Sequence, residues 1–478
     1  MKAAVRAAAF PYSRQMKFNL KSTMVKGLLL LVITGFSYCK KTDNATPADN
    51  SYPQYGTPFA NVVNPQDAII YQVNLRAFSA DASFKGVTAR LDSIKALGTT
   101  VVYLMPIYPV GKLKSTGGLG SPYATKDYKA VNAEFGTLDD LRALVDGAHD
   151  RGMTVILDFV ANHTAWDNAW ITEHKDWYQQ DASGNIIAPS NTNYSDVAAL
   201  NFSNQDMRSA LIDAMKYWIF TANIDGYRCD FADNVPFDFW AQANTALKQI
   251  SSHKLLMLAE GTRADHFRAG FNMTYGFAYY ADLSGKVFGN GSSVTTLQND
   301  NVSEFASANI PGSQVVRYIT NHDVYNSDGS PINVYGGKAG SLAAFVTTAY
   351  MKGVPMIYTG QEVGTTRGMD FFYHTPVNWT LNPDMTAAYK QILNFRKGSD
   401  ALKNGNLTSF SSDDVAAFIK STDKEKVLVL DNLRGNAVTY MLPASVATAG
   451  WKNAFTGAAV TLSSTVYLRP YQYMVLTQ

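Results

Sequence analysis

The chain has 478 residues, with 41 Lys and Arg against 39 Asp and Glu, a formal charge of +2 and only 17 % charged residues. Hydrophobic residues make up 46 %, ample for a large buried core, so a disordered chain is excluded. Near-neutrality provides no polycation for nucleic acid, two cysteines build no disulfide framework, and no Cys/His cluster has zinc spacing.

Residues 1–39 carry Lys2, Arg6, Arg14, Lys17, Lys21 and Lys26, no acidic residue, and an uncharged apolar run over 27–38 that ends at Cys39. A basic stretch before so short an apolar run predicts an export signal (1–39) rather than a bilayer span, with Met16 or Met24 as alternative starts. Cys39 followed by Lys40 and Lys41 resembles a bacterial lipoprotein signal, which implies a lipid anchor on Cys39 and a place in the cell envelope. Tyr38 departs from that pattern, where a small residue is usual; the other reading is a cleaved signal and a secreted protein. Without residues 1–39, 35 Lys and Arg face 39 Asp and Glu, so the exported body is mildly acidic. Residues 40–60 are polar, contain three prolines, and predict a flexible tether.

Short apolar runs follow at 68–73, 100–104, 154–159, 226–229, 255–259, 277–281, 315–319 and 355–358. Amphipathic stretches such as 138–149 and 207–220 lie between them. Strands buried on both faces read as such runs, and eight of them predict a (β/α)8 barrel over 61–398. The stretch 165–201 is too long for a simple connection and predicts a small inserted domain after the third strand. Beyond 398 the runs 415–419, 426–430, 437–442 and 465–476 predict a C-terminal all-β sandwich over 399–478.

Polar residues at the C-terminal ends of barrel strands face the active site. The third run leads into Asp158-Phe-Val-Ala-Asn162-His163-Thr164, and the fourth carries Gly226-Tyr-Arg228-Cys-Asp230. The fifth ends in Glu260-Gly261 and the seventh in Asn321-His322-Asp323. Arg228 and Asp230 are two apart on a strand and share a face, so the cation is expected to keep Asp230 ionised, as a nucleophile requires. Glu260 follows an apolar run whose surroundings are expected to raise its pKa, as suits a general acid. Three carboxyls converging on one mouth point to glycoside hydrolysis. Taken singly, each has a plainer reading: a structural ion pair, a solvated Glu, a satisfied His, and Asn162 as a turn cap. Cys229 reads as buried packing, and Trp166, Trp170, Trp177 and Tyr194 suit either a small core or sugar stacking.

These four clusters, in this order, resemble the conserved regions of the alpha-amylase family, glycoside hydrolase family 13. Gly120-Ser-Pro-Tyr123, Asp127-Tyr128, Glu134-Phe-Gly-Thr137 and the stretch Gly353-Val-Pro-Met-Ile-Tyr-Thr-Gly-Gln-Glu362 strengthen the resemblance over about residues 65–400. It implies Asp230 as nucleophile, Glu260 as acid and base, and Asp323 as the group that holds sugar hydroxyls and steadies the transition state. It also implies Arg228 orienting Asp230, His163 and His322 on hydroxyls of the reacting glucose, and Tyr123 stacked on its ring. The implied partner is an α-glucan, hydrolysed at α-1,4 links with retention by a chain expected to be a monomer. Within the family, a cyclomaltodextrinase, α-glucosidase or transglycosylase is the alternative; outside it, a catalytically silent starch-binding lipoprotein or a metal-dependent hydrolase. Many family members bind calcium, and Asn162 matches one ligand, but Ala199 stands where a carboxylate is usual, so calcium stays open. Asp233-Asn234 replaces the common Lys-His pair after the nucleophile motif, which is expected to alter the leaving-group side.

Overall fold

The computed structural model describes residues 52–190, 192–447 and 450–478. The expected export signal, Cys39 and the first part of the tether lie outside the described residues. Eight parallel strands close into a barrel: β1 (Ile70–Val73), β2 (Val101–Leu104), β3 (Thr154–Val160), β6 (Gly226–Asp230), β7 (Leu256–Ala259), β8 (Met273–Tyr275), β9 (Gln314–Arg317) and β10 (Val354–Tyr358), with β10 returning to β1. Strand alternation sorts their side chains into two cores. Ile70, Tyr103, Ile156, Leu258, Tyr275 and Met356 fill the barrel interior. Val155, Leu157, Phe159, Tyr227 and Cys229 face outward into the larger core that the helices cover. Cys229 is therefore packing, as its place between two polar neighbours suggests.

One expected strand is misplaced. Residues 277–281 form a helix, Phe277–Ala281, and the barrel strand is β8, just upstream. A short apolar run reads equally as strand or buried helix, and here Tyr279 and Tyr280 are buried on a helix. Met273-Thr274-Tyr275 is too short, with Thr274 in its middle, to show as an apolar run. Gly226 illustrates the tight side of barrel packing: its φ is +142°, and a Cβ there would overlap the carbonyl oxygen of Leu256.

Between β3 and β6 the chain makes the expected excursion, pinned by an antiparallel pair, β4 (His163–Ala165) and β5 (Val197–Ala199). Trp177 is buried there, with Trp170 edge-on at 4.9 Å and His174 stacked at 3.9 Å. These aromatics are the excursion's own core.

The C-terminal domain is a six-stranded antiparallel sheet faced by a two-stranded one. In chain order its strands are β11 (Asn406–Ser409), β12 (Val415–Ser421), β13 (Lys426–Asn432), β14 (Val438–Met441), β15 (Trp451–Asn453), β16 (Ala459–Val460), β17 (Thr465–Leu468) and β18 (Tyr473–Thr477). The run expected over 465–476 is thus two strands. Pro470, which lacks an N–H, and Tyr471 at φ +54° divide them. β11, β15 and β16 are too short or too polar to register as apolar runs. Val415, Ala417, Leu428 and Leu430 meet Tyr440 and Val466 inside this domain. Ala416, Phe418, Val427 and Val429, on the other face, join the core of the barrel helices.

The tether expected over 40–60 is fixed to the barrel from Tyr52 onward. The Tyr52 hydroxyl donates to Asp213 at 2.6 Å and the Tyr55 hydroxyl to Asp146 at 2.7 Å. Tyr55 N–H donates to the Phe220 carbonyl, and Phe59 stacks on His149 at 4.3 Å. Three tyrosine or phenylalanine rings in a Pro-rich stretch are enough to hold it. Among the described residues, no helix is long and apolar enough to cross a membrane.

At the β10–β1 seam the Tyr71 hydroxyl donates to Glu362 Oε1 at 2.7 Å, while Glu362 Oε2 is buried without a hydrogen-bond partner. Burial pushes this carboxyl up to about 7, against the pull of the Tyr71 hydrogen bond. A carboxyl raised in the folded state holds its proton there after the unfolded chain has lost it, so its contribution falls as pH rises from its ordinary 4.5 to about 7. Glu362→Gln is expected to remove that loss: its Tm relative to the parent should be higher at pH 8 than at pH 5, measured by calorimetry.

Candidate active site

The barrel mouth is organised by Arg228, whose side chain is completely buried on β6. Its Nη1 donates to Asp158 Oδ1 at 2.7 Å and to Asp230 Oδ1 at 2.8 Å, and its Nη2 contacts Glu260 Oε1. Asp158, Asp230 and Glu260 come from the C-terminal halves of β3 and β6 and from the end of β7, and are brought together by the parallel pairing of these neighbouring strands. Three carboxylates around one guanidinium leave the cluster with excess negative charge. Burial pushes Asp230 well up, Arg228 pulls against it, and the charges of Glu260 and Asp158 push further. The cation therefore does not by itself keep Asp230 in the ordinary carboxylate range, which corrects the simple pair expected from spacing. The surroundings expected for Glu260 also differ. The apolar run Leu256–Ala259 leads up to it, but its carboxylate meets Arg228 and accepts the Phe231 N–H at 2.7 Å.

That N–H reaches Glu260 because Phe231, directly after Asp230, adopts φ +48°, ψ +39°. A left-handed conformation is costly for a bulky residue and marks a place where surrounding structure imposes it. Ala232 N–H donates to the Glu260 carbonyl and Glu260 N–H to that of Cys229, so the ends of β6 and β7 are laced together.

A second network joins Tyr123 and His322. Gln72 Nε2 donates to His322 Nδ1 at 2.8 Å, which assigns the proton to Nε2. His322 Nε2 lies 2.6 Å from the Tyr123 hydroxyl, which donates to Asp158 Oδ2 at 3.0 Å. Tyr103 donates to the same oxygen at 2.6 Å. Burial, with help from Arg228, holds His322 down at about 4, so it is neutral and can bridge in this way. The Tyr123 ring stacks on His322 at 5.2 Å, with Phe371 edge-on at 6.0 Å. Asp323 follows a turn in which Asn321 Oδ1 accepts its N–H, and it lies 3.4 Å from His322 Nε2 with its side chain 54 % exposed. It is the most open of the carboxyls.

His163 is buried, and burial pulls it down to about 4. Asn162 Nδ2 contacts its Nδ1 at 3.1 Å. Tyr194, 49 % exposed, leans toward His163 at 6.5 Å and meets Phe231 edge-on at 6.0 Å. Of the excursion aromatics, Tyr194 reaches the mouth while Trp170 and Trp177 do not; Trp166 is covered by the Lys114 ammonium at 3.4 Å. Asp233 turns away from the cleft, with its carboxylate on the backbone of Thr262 and Arg263 and on His266. Gln72 and Tyr103 escape a reading by motif, and Asp158, in the third-strand cluster, had no role assigned to it. Their signal was a polar or hydroxyl-bearing residue at the inward position of a doubly buried strand.

The residues present do not fit calcium. β4 pairs His163 with Ala199, so a methyl group stands where a hard carboxylate ligand is needed, and the Asn162 amide is turned to His163. Among the described residues no group of His, Cys, Asp and Glu side chains could hold a metal ion.

A closed parallel barrel with several carboxyls converging at its C-terminal mouth suits a glycoside hydrolase, and the family match over most of the chain shows it to be one. More narrowly, the chain belongs to the alpha-amylase family: residues 77–402 match the alpha amylase catalytic domain, and 415–475 match the alpha-amylase SusG C-terminal domain. It is 26 % identical over 396 residues to the alpha-amylase MalA of Haloarcula japonica, covering 79 % of this chain and 57 % of that protein. To neopullulanase 2 of Thermoactinomyces vulgaris it is 27 % identical over 427 residues, covering 82 % and 70 %. The crystal structure of an alpha-amylase from Lactobacillus plantarum superposes with a TM-score of 0.76 at 28 % identity, covering 86 % of this chain and 99 % of that one. The chain thus spans little more than half of the first relative's length.

Because Asp158 repels Asp230 and shares its cation, Asp158→Asn is expected to let Asp230 ionise at lower pH. Carbon-13 NMR titration of labelled aspartates checks this; an unchanged or raised midpoint contradicts it.

Proposed function

We propose that this chain is a retaining α-glucan hydrolase, an alpha-amylase that cleaves α-1,4 bonds in starch and maltooligosaccharides. The observation that carries the reading is Arg228 holding Asp230 and Glu260 on one guanidinium, with Asp323 open beside them. Two carboxyls sharing one guanidinium are held close, as retaining enzymes hold theirs at about 5–5.5 Å.

Asp230 attacks the anomeric carbon while Glu260 gives its proton to the departing glycosidic oxygen, leaving a glycosyl-enzyme. Glu260 then takes a proton from water, which attacks the same carbon and frees Asp230; two displacements retain the configuration. Asp323 binds sugar hydroxyls and steadies the oxocarbenium-like transition state. Arg228 orients Asp230 and spreads the charge that develops there. His163, neutral through burial, hydrogen-bonds a hydroxyl of the reacting glucose, and His322, also neutral, does so when its Nε2 exchanges the Tyr123 hydroxyl for one of the sugar's, while Tyr123 packs on the ring. The second reading, a cyclomaltodextrin- or pullulan-cleaving enzyme, draws support from the relative named a neopullulanase. The chain works outside the cytoplasm, held to a membrane through lipidated Cys39.

Asp230→Asn and Glu260→Gln should each lower kcat on soluble starch by about a thousandfold or more, and full activity in either sinks the mechanism. Products followed over time on soluble starch, maltooligosaccharides, cyclodextrin and pullulan separate the readings. Early mixed oligosaccharides from starch support endo-cleavage, faster attack on cyclodextrin or pullulan supports the second reading, and glucose alone overturns both. Cys39→Ala should release the protein from the membrane fraction; an unchanged distribution removes the anchor.

A further inference from the structure

The sequence departs from its family at Asp233, and the structure puts that carboxylate to use. Asp233 lies on the turn Ala232–Asn234, directly after the strand that bears Asp230. It accepts the backbone N–H of Thr262 at 3.0 Å and of Arg263 at 3.1 Å, and His266 Nε2 donates to it at 2.7 Å. Arg263 answers with its guanidinium, donating to the Asp233 and Val235 carbonyls at 2.8 and 2.9 Å. The segment clasped in this way begins two residues after Glu260, with only Gly261 between. Gly261 is the point of closest approach: a Cβ there would overlap Asp233 Oδ1 and come 2.7 Å from His266 Nε2. The Gly261 carbonyl in turn accepts the Tyr275 N–H at 3.2 Å, which pins the same segment to β8. The His266 side chain is entirely buried, with Phe271 edge-on at 5.5 Å. Burial would raise Asp233, but the donations from His266, Thr262 and Arg263 outweigh it and hold the carboxyl below its ordinary range, so the clasp is charge-assisted.

We infer that Asp233, His266 and Gly261 form a clasp that positions Glu260 for proton transfer to the leaving oxygen. The clasp touches no reacting atom. It fixes the residue that follows Glu260, while Phe231 N–H fixes the Glu260 carboxylate from the other side. Both restraints issue from the four residues after the nucleophile, so one turn sets the separation between the attacking and the protonating groups. Proton transfer depends steeply on that geometry: about 1 Å of misplacement costs on the order of a hundredfold.

The inference rests on Glu260 being the general acid, and the test separates the two claims. kcat/KM reports formation of the glycosyl-enzyme. On a maltooligosaccharide that step needs a proton on the departing oxygen. On α-maltosyl fluoride the C–F bond breaks as the bond to Asp230 forms, and fluoride leaves as the anion without one. His266→Ala should lower kcat/KM on the oligosaccharide by about a hundredfold and on the fluoride by less than about threefold. His266→Gln, whose Nε2 occupies nearly the same place and keeps the donated hydrogen bond, should restore the oligosaccharide rate to within about threefold. Gly261→Ala, which keeps both partners but drives a methyl between them, should repeat the selective loss, and it decides the matter if His266→Ala does not fold. Equal losses on the two substrates, or no rescue by Gln, overturn the clasp. Glu260→Gln in the same assay must spare the fluoride and lose the oligosaccharide. If it does and the clasp variants do not, the clasp alone fails; if it does not, the assignment of Glu260 fails.

Discussion

A guanidinium buried at the bottom of a barrel mouth is expensive to desolvate, on the order of several kcal/mol, unless every direction offers compensation. Arg228 is compensated by Asp158, Asp230 and Glu260, each from a different strand. The compensation overshoots, because one positive charge faces three acids. The overshoot raises Asp230, already raised by burial, whereas Asp158 is raised by burial alone, against the pull of Arg228 and of the Tyr103 hydroxyl. Asp158 is relieved by hydroxyl donors from Tyr103 and Tyr123, whereas among the described residues the side chain that hydrogen-bonds Asp230 is that of Arg228. Two acids on one cation thus acquire different environments, one satisfied and structural, the other poised at the surface of the cleft.

The neutral histidines follow from the same economy of charge. A protonated His322 would add a second cation to a dry pocket beside Arg228, and burial forbids it. As a neutral imidazole it accepts from Gln72 and donates toward Tyr123, which passes the chain of hydrogen bonds on to Asp158. β1, β9, the loop after β2 and β3 are thereby joined through one ring. The backbone after Asp230 completes the arrangement by taking a left-handed conformation at Phe231 that aims its N–H at Glu260.

Much of this was legible beforehand. Asp230, Arg228, Glu260 and Asp323 stood out because each sits where an apolar strand run ends, and alternation put Arg228 and Asp230 on one face. The misplaced strand at 277–281 was not legible, since a five-residue aromatic run has the same pattern on a helix as on a strand. Tyr52, Tyr55 and Phe59 look like decorations of a Pro-rich tether until Asp213, Asp146 and His149 are brought alongside. Asp233 read as a change to the leaving-group side of the cleft, yet its carboxylate turns into the loop after Glu260. Direction of a side chain within a turn is set by neighbours remote in sequence.

By itself the sequence determined the barrel, its excursion, its C-terminal β domain and the residues that gather at the mouth, because periodicity and strand-end position are local properties of the chain. Tertiary structure alone decided that three acids share one arginine, that Gln72 and Tyr103 belong to the site, and that Ala199 faces His163 where a calcium ligand would stand. Those outcomes depend on which strands pair and how the barrel closes. Charges, hydrogen-bond partners and desolvation are fixed only when strands separated by up to about 290 residues, such as β1 and the loop after β10, meet across the barrel.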